Sequence, residues 1–302
     1  MEQRQMTITS TAGGLEKPDI GSDRLGRIAR FPLRQPMLTA SCGLLLAFGA
    51  LALVSPWITS DPAALDPLGR LSSPSLDQPF GTDQAGRSVF ARALWGTRVS
   101  LWVGIAVAVV TTLVGVTIGV IAGYFHAVDT VAMRVMDAVM AIPAILLAIA
   151  LVALIGASPF VIVTAISVPE IPRMARVVRA SVLTLRERVY VEAAITCGGR
   201  ATTILRRHIL PGAAGPIIVQ TTYVFASAMI LESILSFLGA GTPPDVPSWG
   251  NMMSEGRQFL QIAPWILGFP ALMLAVTVLA ANLLGDALRD LLDPSLQAGE
   301  VR

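Results

Sequence analysis

The run SLWVGIAVAVVTTLVGVTIGVIAGY, Ser100 to Tyr124, extends for 25 residues without one Asp, Glu, Lys or Arg. A helix needs roughly 20 mainly apolar residues to cross the hydrocarbon layer of a bilayer. A helix at the surface of a water-soluble core would instead carry a polar outer face. This stretch therefore reads as a membrane span, and it decides the class of the chain. Similar runs occupy Pro36 to about Ile58, about Val135 to Ala157, about Ala214 to Leu238 and about Ile266 to Leu284. The first of them is too long for the core of a cleaved signal peptide. With 54% hydrophobic and 14% charged residues, one aqueous core cannot bury the apolar surface, so lipid must be part of the solvent.

A further span is expected between Ala157 and Ala214. There the apolar run from Pro159 to Pro169 is interrupted by Glu170, Pro172 and Arg173. A helix through it places Met174, Ala175, Val177 and Val178 on one side and Arg173, Arg176 and Arg179 on the other. The sum is an all-α polytopic membrane protein with six transmembrane helices. Charge bias sets the orientation. The segment from Ile171 to Gly212 holds eight arginines against two acids, whereas Gly241 to Pro264 has Arg257 as its one basic residue. The positive-inside rule puts the first in the cytoplasm and the second outside, and six spans then leave both termini cytoplasmic. The loop from Thr59 to Arg98 must be external, although Arg70, Arg87, Arg92 and Arg98 argue against that and Asp61, Asp66, Asp77 and Asp83 count little.

The expected organisation is a cytoplasmic tail over 1–35, too polar to order alone, and a first transmembrane helix with its external loop over 36–99. A five-helix transmembrane domain over 100–290 and a cytoplasmic tail over 291–302 follow. The near-neutral charge, with basic residues confined to particular loops, argues against nucleic-acid binding. Cys42 lies in an apolar run and Cys197 in a polar loop, so neither a disulfide nor a metal site is expected. His126 and His208 lack metal-ligand spacing as well.

The most informative polar stretch is Val191-Glu192-Ala193-Ala194-Ile195-Thr196-Cys197-Gly198-Gly199, followed by Arg206-Arg207-His208-Ile209-Leu210-Pro211. A helix from Tyr190 to Cys197 should stop at Gly198-Gly199, where glycine takes a positive φ. A second short helix from Thr202 to His208 should end at Pro211. The loop over 187–211 is then a helix-turn-helix knob, with small Ala193 and Ala194 open to close approach by another protein. The plainer reading is an inter-span hairpin held by its own contacts.

Glu192-Ala193-Ala194, then Gly198, then Leu210-Pro211, in a basic loop before a span, resembles the signature loop of permease subunits of binding-protein-dependent ATP-binding cassette importers. The likeness extends through Phe80-Gly81-Thr82-Asp83, Gly86-Arg87, Arg92, Gly96-Thr97-Arg98 and Ser100-Leu101, and through Ala122-Gly123-Tyr124, Met133-Arg134, Asp137 and Ile142-Pro143. It continues in Leu235-Ser236-Phe237-Leu238-Gly239, Pro247-Ser248-Trp249-Gly250 and Asn282-Leu283-Leu284-Gly285-Asp286. These blocks look like the dipeptide, oligopeptide and nickel group, from which Ser88 and Ala91 depart, an acid and a serine being usual there. The resemblance implies the type I importer permease fold in a bacterial inner membrane and the role of second permease in a peptide-type system. It also implies a related but non-identical permease, two ATPase subunits and a periplasmic substrate-binding protein as partners. Glu192, Ala193, Ala194, Gly198, Leu210 and Pro211 would couple to the ATPase. No Gly-x-x-x-x-Gly-Lys-Ser/Thr loop occurs and the only lysine is Lys17, so this chain cannot cradle ATP in that way. ATP and Mg are expected on the partner ATPases, with no cofactor and no enzyme activity expected of this chain.

Several polar residues fall inside the expected spans. Glu232 lies deep in the fifth, where a lone charge costs about 3 kcal/mol at the bilayer centre. It either contacts a substrate amine in the pore or, hydrogen-bonded to Ser233 or Ser236, holds two helices together. Arg134 and Asp137 should pair on one helix face. Gly115, Gly119 and Gly123 should let helices approach closely, and Pro143 should permit a kink. Trp57, Trp95, Trp102, Trp249 and Trp265 should anchor at the membrane interface, and Trp249 to Gln261 should form a short external helix. The main rival function is a proton-coupled secondary transporter. An intramembrane enzyme would need a nucleophile and base within the spans, and both histidines lie outside them.

Overall fold

The computed structural model describes residues 36–59, 61–243 and 245–292. The expected tail over 1–35 lies outside the described residues, as does the C-terminal tail beyond Leu292. Helix α1 runs Pro36–Ile58, α2 Val89–Tyr124, α3 His126–Met140, α4 Ala144–Ile155 and α5 Pro159–Arg186. Then come α6 Val189–Thr196, α7 Ala201–Phe237, α8 Trp249–Gly256 and α9 Trp265–Leu292. Serines start three of them. Ser88, Ser158 and Ser248 accept the N–H of Ala91, Val161 and Asn251 and so satisfy free donors at the N-termini of α2, α5 and α8.

The α2–α5 contact rests on the glycine stripe. A Cβ at Gly115 would sit 2.6 Å from Met174 Cβ, one at Gly119 2.6 Å from the Ala175 carbonyl oxygen, and one at Gly123 2.7 Å from Val182 Cβ. Any side chain there forces the helices apart, as the four-residue spacing implies. Ile162, Ile166, Met174, Val178 and Val182 of α5 fill the adjoining core with Val103 and Val107 of α2 and Val224 of α7. On α1, the buried residues Ser41, Phe48, Ala52 and Ser55 form one stripe, while Leu46 and Leu53 point outward, 68% and 70% exposed.

Three expectations need correction. The third span is not one helix: α3 and α4 meet at 86° across Ala141, Ile142 and Pro143. Pro143 lacks an N–H and forces its predecessor out of helical geometry, so it begins a new helix instead of kinking the old one. Nor does Pro211 end the helix through Thr202. That helix passes through a π turn at Leu205–Ile209, in which the Leu210 N–H reaches back to the Leu205 carbonyl, and continues as α7. Pro211 thus falls in the first turn of the regular α-helix that follows the π turn, where a residue without an N–H is tolerated. Lastly, Trp249 is no interfacial anchor. It is fully buried, its Nε1–H donating to the Ala93 carbonyl at 3.0 Å, and Phe48 meets its ring edge-on. Trp265 is likewise bound inward, to the Thr82 carbonyl at 3.1 Å, whereas Trp57 is 81% exposed.

Among the described residues, α1, α2, α7 and α9 are each long and apolar enough to cross a membrane, and the bent α3–α4 pair makes a fifth span if counted as one. Helix α5, at 28 residues, would reach about 42 Å at 1.5 Å per residue. Its arginines and Glu170 make it less apolar than the others. As the spacing predicted, Met174, Ala175 and Val178 are buried and Arg173 and Arg176 are exposed.

Candidate functional site

Two residues, Glu187 and Arg188, separate α5 from α6, so the two helices form one bent arm. Helix α6 closes as the double glycine suggests: Gly198 has φ +77°, its N–H bonds the Ile195 carbonyl at 2.9 Å, and the Gly199 N–H bonds the Ala194 carbonyl at 3.0 Å. This is a Schellman stop. The two glycines serve different ends. A Cβ on Gly198 would meet open space but an unfavourable φ, while a Cβ on Gly199 would lie 2.7 Å from the Ala194 oxygen.

The knob has an inner and an outer side. Val191, Ile204 and Ile209 are buried in the same cluster as Val182 of α5, which fastens it to both flanking helices. On the outside, Glu192, Ala193, Ile195, Thr196, Cys197 and Gly198 are exposed, and Ala194 is half-buried. Val189 is 82% exposed, an apolar residue held out by a fixed helix. Tyr190 stacks on His208 with ring centroids 6.4 Å apart. Leu210 and Pro211 lie at the knob's base, both exposed. Pro211 borders a cavity of about 760 Å³ lined also by Val177, Gly215, Tyr223 and Arg289. The spacing singled out the outer residues. The inner anchors were not legible in it, because Val191, Ile204 and Ile209 belong to two helices whose relative placement only the turn fixes.

Polar residues toward the other end of α7 form a second constellation. Glu232 is fully buried; Ser236 Oγ donates to its Oε1 at 2.9 Å, with Ser233 and Ser100 at 3.4 and 3.5 Å from Oε2. Ser100 Oγ accepts the backbone N–H of Trp249 at 3.4 Å, so the carboxyl group of α7 is joined to α2 and α8. Nearby, Arg92 grips Glu255 of α8 through two bonds, of 2.7 and 2.9 Å, and reaches Asp83 at 2.7 Å, while Arg87 bonds both acids at 2.6 and 2.8 Å. Two of the arginines that counted against the assigned topology are thus neutralised by carboxylates.

Arg134 and Asp137 do not pair. Asp137 accepts instead from Arg176 of α5, at 2.5 Å. A neighbouring helix presents a closer cation than the partner three residues back on the same helix.

Residues 115–298 match the family described as binding-protein-dependent transport system inner membrane component. A probable peptide ABC transporter permease of Sinorhizobium fredii is 49% identical over 286 residues, 95% of this chain and 97% of that protein. A putative peptide transport system permease of Brucella suis is 43% identical over 293 residues, covering 97% and 99%. The dipeptide transport system permease protein DppC of Alkalihalophilus pseudofirmus is 40% identical over 257 residues, 84% of each chain.

Proposed function

This chain belongs to the inner-membrane components of binding-protein-dependent transport systems, and from that premise we propose that its knob, Glu192 to Pro211, is the surface through which a separate ATPase drives transport. The chain is a permease of an importer. In the proposed arrangement α1, α2, the α3–α4 pair, α5, α7 and α9 are the six spans, and both termini and the knob face the cytoplasm. The loop between α1 and α2, and α8, face the binding protein. Two ATPase subunits carry ATP and Mg, and a paralogous permease completes the pore. The names of the relatives favour peptides or peptide-like solutes.

One observation carries this reading: an exposed outer face on α6, backed by Val191 of α6 and Ile204 and Ile209 of α7, buried in one cluster with Val182 of α5. Closure of the ATPases displaces α6, and the fixed inner side transmits the displacement to both spans. The pore then alternates between outward and inward access. Glu192, Ala193 and Ala194 supply the contact, Gly198 the turn, and Leu210 with Pro211 the junction to α7. Glu232 acts in helix association through its serines. A proton-coupled transporter would work without these partners, and no observation on the fold favours it.

Native Cys197 is exposed at the tip of the knob, which makes the docking testable without redesign. In the assembled complex a short thiol-to-amine cross-linker should join Cys197 to an ATPase subunit, and Cys197→Ser should abolish the product. An intact complex in which Cys197 never cross-links to the ATPase would refute the docking.

A further inference from the structure

Helix α3 is attached in an unusual way. Among its described residues Asp129 is the one that is buried, while Val128, Val131, Val135 and Met140 are exposed by 41%, 66%, 52% and 37%. Apolar packing of α3 is partial, through half-buried Ala132, Met133, Met136 and Val139 on the face that carries Asp129. Charge adds the directional hold. Arg179 of α5 grips Asp129 with both Nε and Nη2, the latter at 2.6 Å from Oδ2. Arg176, one turn earlier, bonds Asp137 at 2.5 Å. Arg186, two turns further on, donates to the Tyr124 carbonyl at 3.1 Å and lies 5.6 Å from the centre of the Tyr124 ring, at the corner where α2 gives way to α3.

The two ion pairs differ in weight. Asp137 and Arg176 have side chains 57% and 45% exposed, and such pairs contribute little. The Asp129 and Arg179 side chains are 12% and 33% exposed, and the bond is bidentate, the stronger and more directional form. Asp129 also sits in the first turn of α3, where a helix favours negative charge.

We propose that the Arg179–Asp129 pair, steadied by Arg176–Asp137 and Arg186–Tyr124, is the clamp that makes the broken α3–α4 span move with the α5–α6 arm. The three arginines are positioning residues for transport. They touch neither nucleotide nor solute, but tie α3 to the helix that the knob displaces. Because the 86° break separates α3 from α4, a displaced α3 would swing α4 about Pro143 instead of sliding it along its axis. The proposal rests on the knob's role as ATPase contact.

In the reconstituted complex with its ATPases and binding protein, Asp129→Arg should lower transport by about tenfold or more, the scale of one lost charged hydrogen-bonded pair. The reciprocal exchange Asp129→Arg with Arg179→Asp should restore most of it. Cys197 should still cross-link to the ATPase in both variants. Full transport by the single variant would overturn the clamp, as would a failed rescue in a complex that assembles and cross-links. Absence of the cross-link in the unaltered complex would point to the knob itself and remove the clamp with it. A second measurement needs no charge change: spin labels at Val131 and Ala180, both exposed, in a chain with Cys42 and Cys197 replaced by Ser. Their separation should be the same in nucleotide-free and nucleotide-trapped complexes, and a shift between the states would contradict the clamp.

Discussion

Two adjacent glycines in the knob make different demands and should respond differently to substitution. At Gly198 the constraint is the backbone, with φ +77° and empty space around a Cβ. Asparagine tolerates that region and a β-branched residue does not. Gly198→Asn should keep more transport than Gly198→Val, with a stability difference of about 1 kcal/mol or more in thermal unfolding of the purified complex. Equal behaviour of the two would mean that the turn is not a left-handed stop in the working protein. Glu232 poses a different question. Glu232→Gln keeps a hydrogen-bonding group for Ser100, Ser233 and Ser236 and should preserve assembly and transport of a cationic peptide. Glu232→Leu leaves those hydroxyls unpaired and should cost about 1–3 kcal/mol. A transport defect in the Gln variant, confined to cationic substrates, would instead place the carboxylate in the pore.

Helices carry the next set of constraints. Gly119 lies where a Cβ would come within 2.6 Å of the Ala175 carbonyl and 2.7 Å of Val178, so Gly119→Val should separate α2 from α5 and cost about 1–3 kcal/mol by overpacking. A variant with unchanged melting temperature would show the interface to be looser than drawn. The glycine stripe was legible in the sequence because spacing alone puts Gly115, Gly119 and Gly123 on one face. Gly198 was legible for the same kind of reason, since a glycine after a short helix has one common use. The partner of Asp137 was not, because local spacing names Arg134 while the tertiary fold supplies Arg176. Pro143 announced an interruption, but whether a proline bends a span or divides it depends on what the two halves pack against. Pro211 misled for a related reason: a π turn just before it lets the helix continue, and no residue pattern marks such a turn. Trp249 could not be told from an interfacial tryptophan until Ala93 and Phe48 were seen around it.

At the scale of the molecule, orientation and coupling are the claims that matter. Arg87 and Arg92 are paired with Asp83 and Glu255, but acids count little in the positive-inside rule, so the side on which the α1–α2 loop lies needs a direct test. A cysteine at Leu68, which is 99% exposed in that loop, should react in intact cells with a membrane-impermeant thiol reagent, whereas Cys197 should react after the inner membrane is opened. Labelling of Cys197 and not of the Leu68 cysteine in intact cells would reverse the proposed topology, and labelling of both would refute the placement of the loop and the knob on opposite sides. Coupling is the central claim, and one quantity reports it: ATPase activity of the reconstituted complex, stimulated by liganded binding protein, in chains carrying Glu192→Ala or Gly198→Val. The account predicts that both complexes assemble, that basal hydrolysis persists, and that stimulation falls together with transport. Unchanged stimulation in both variants would contradict it, and the knob would then be an ordinary hairpin between two spans.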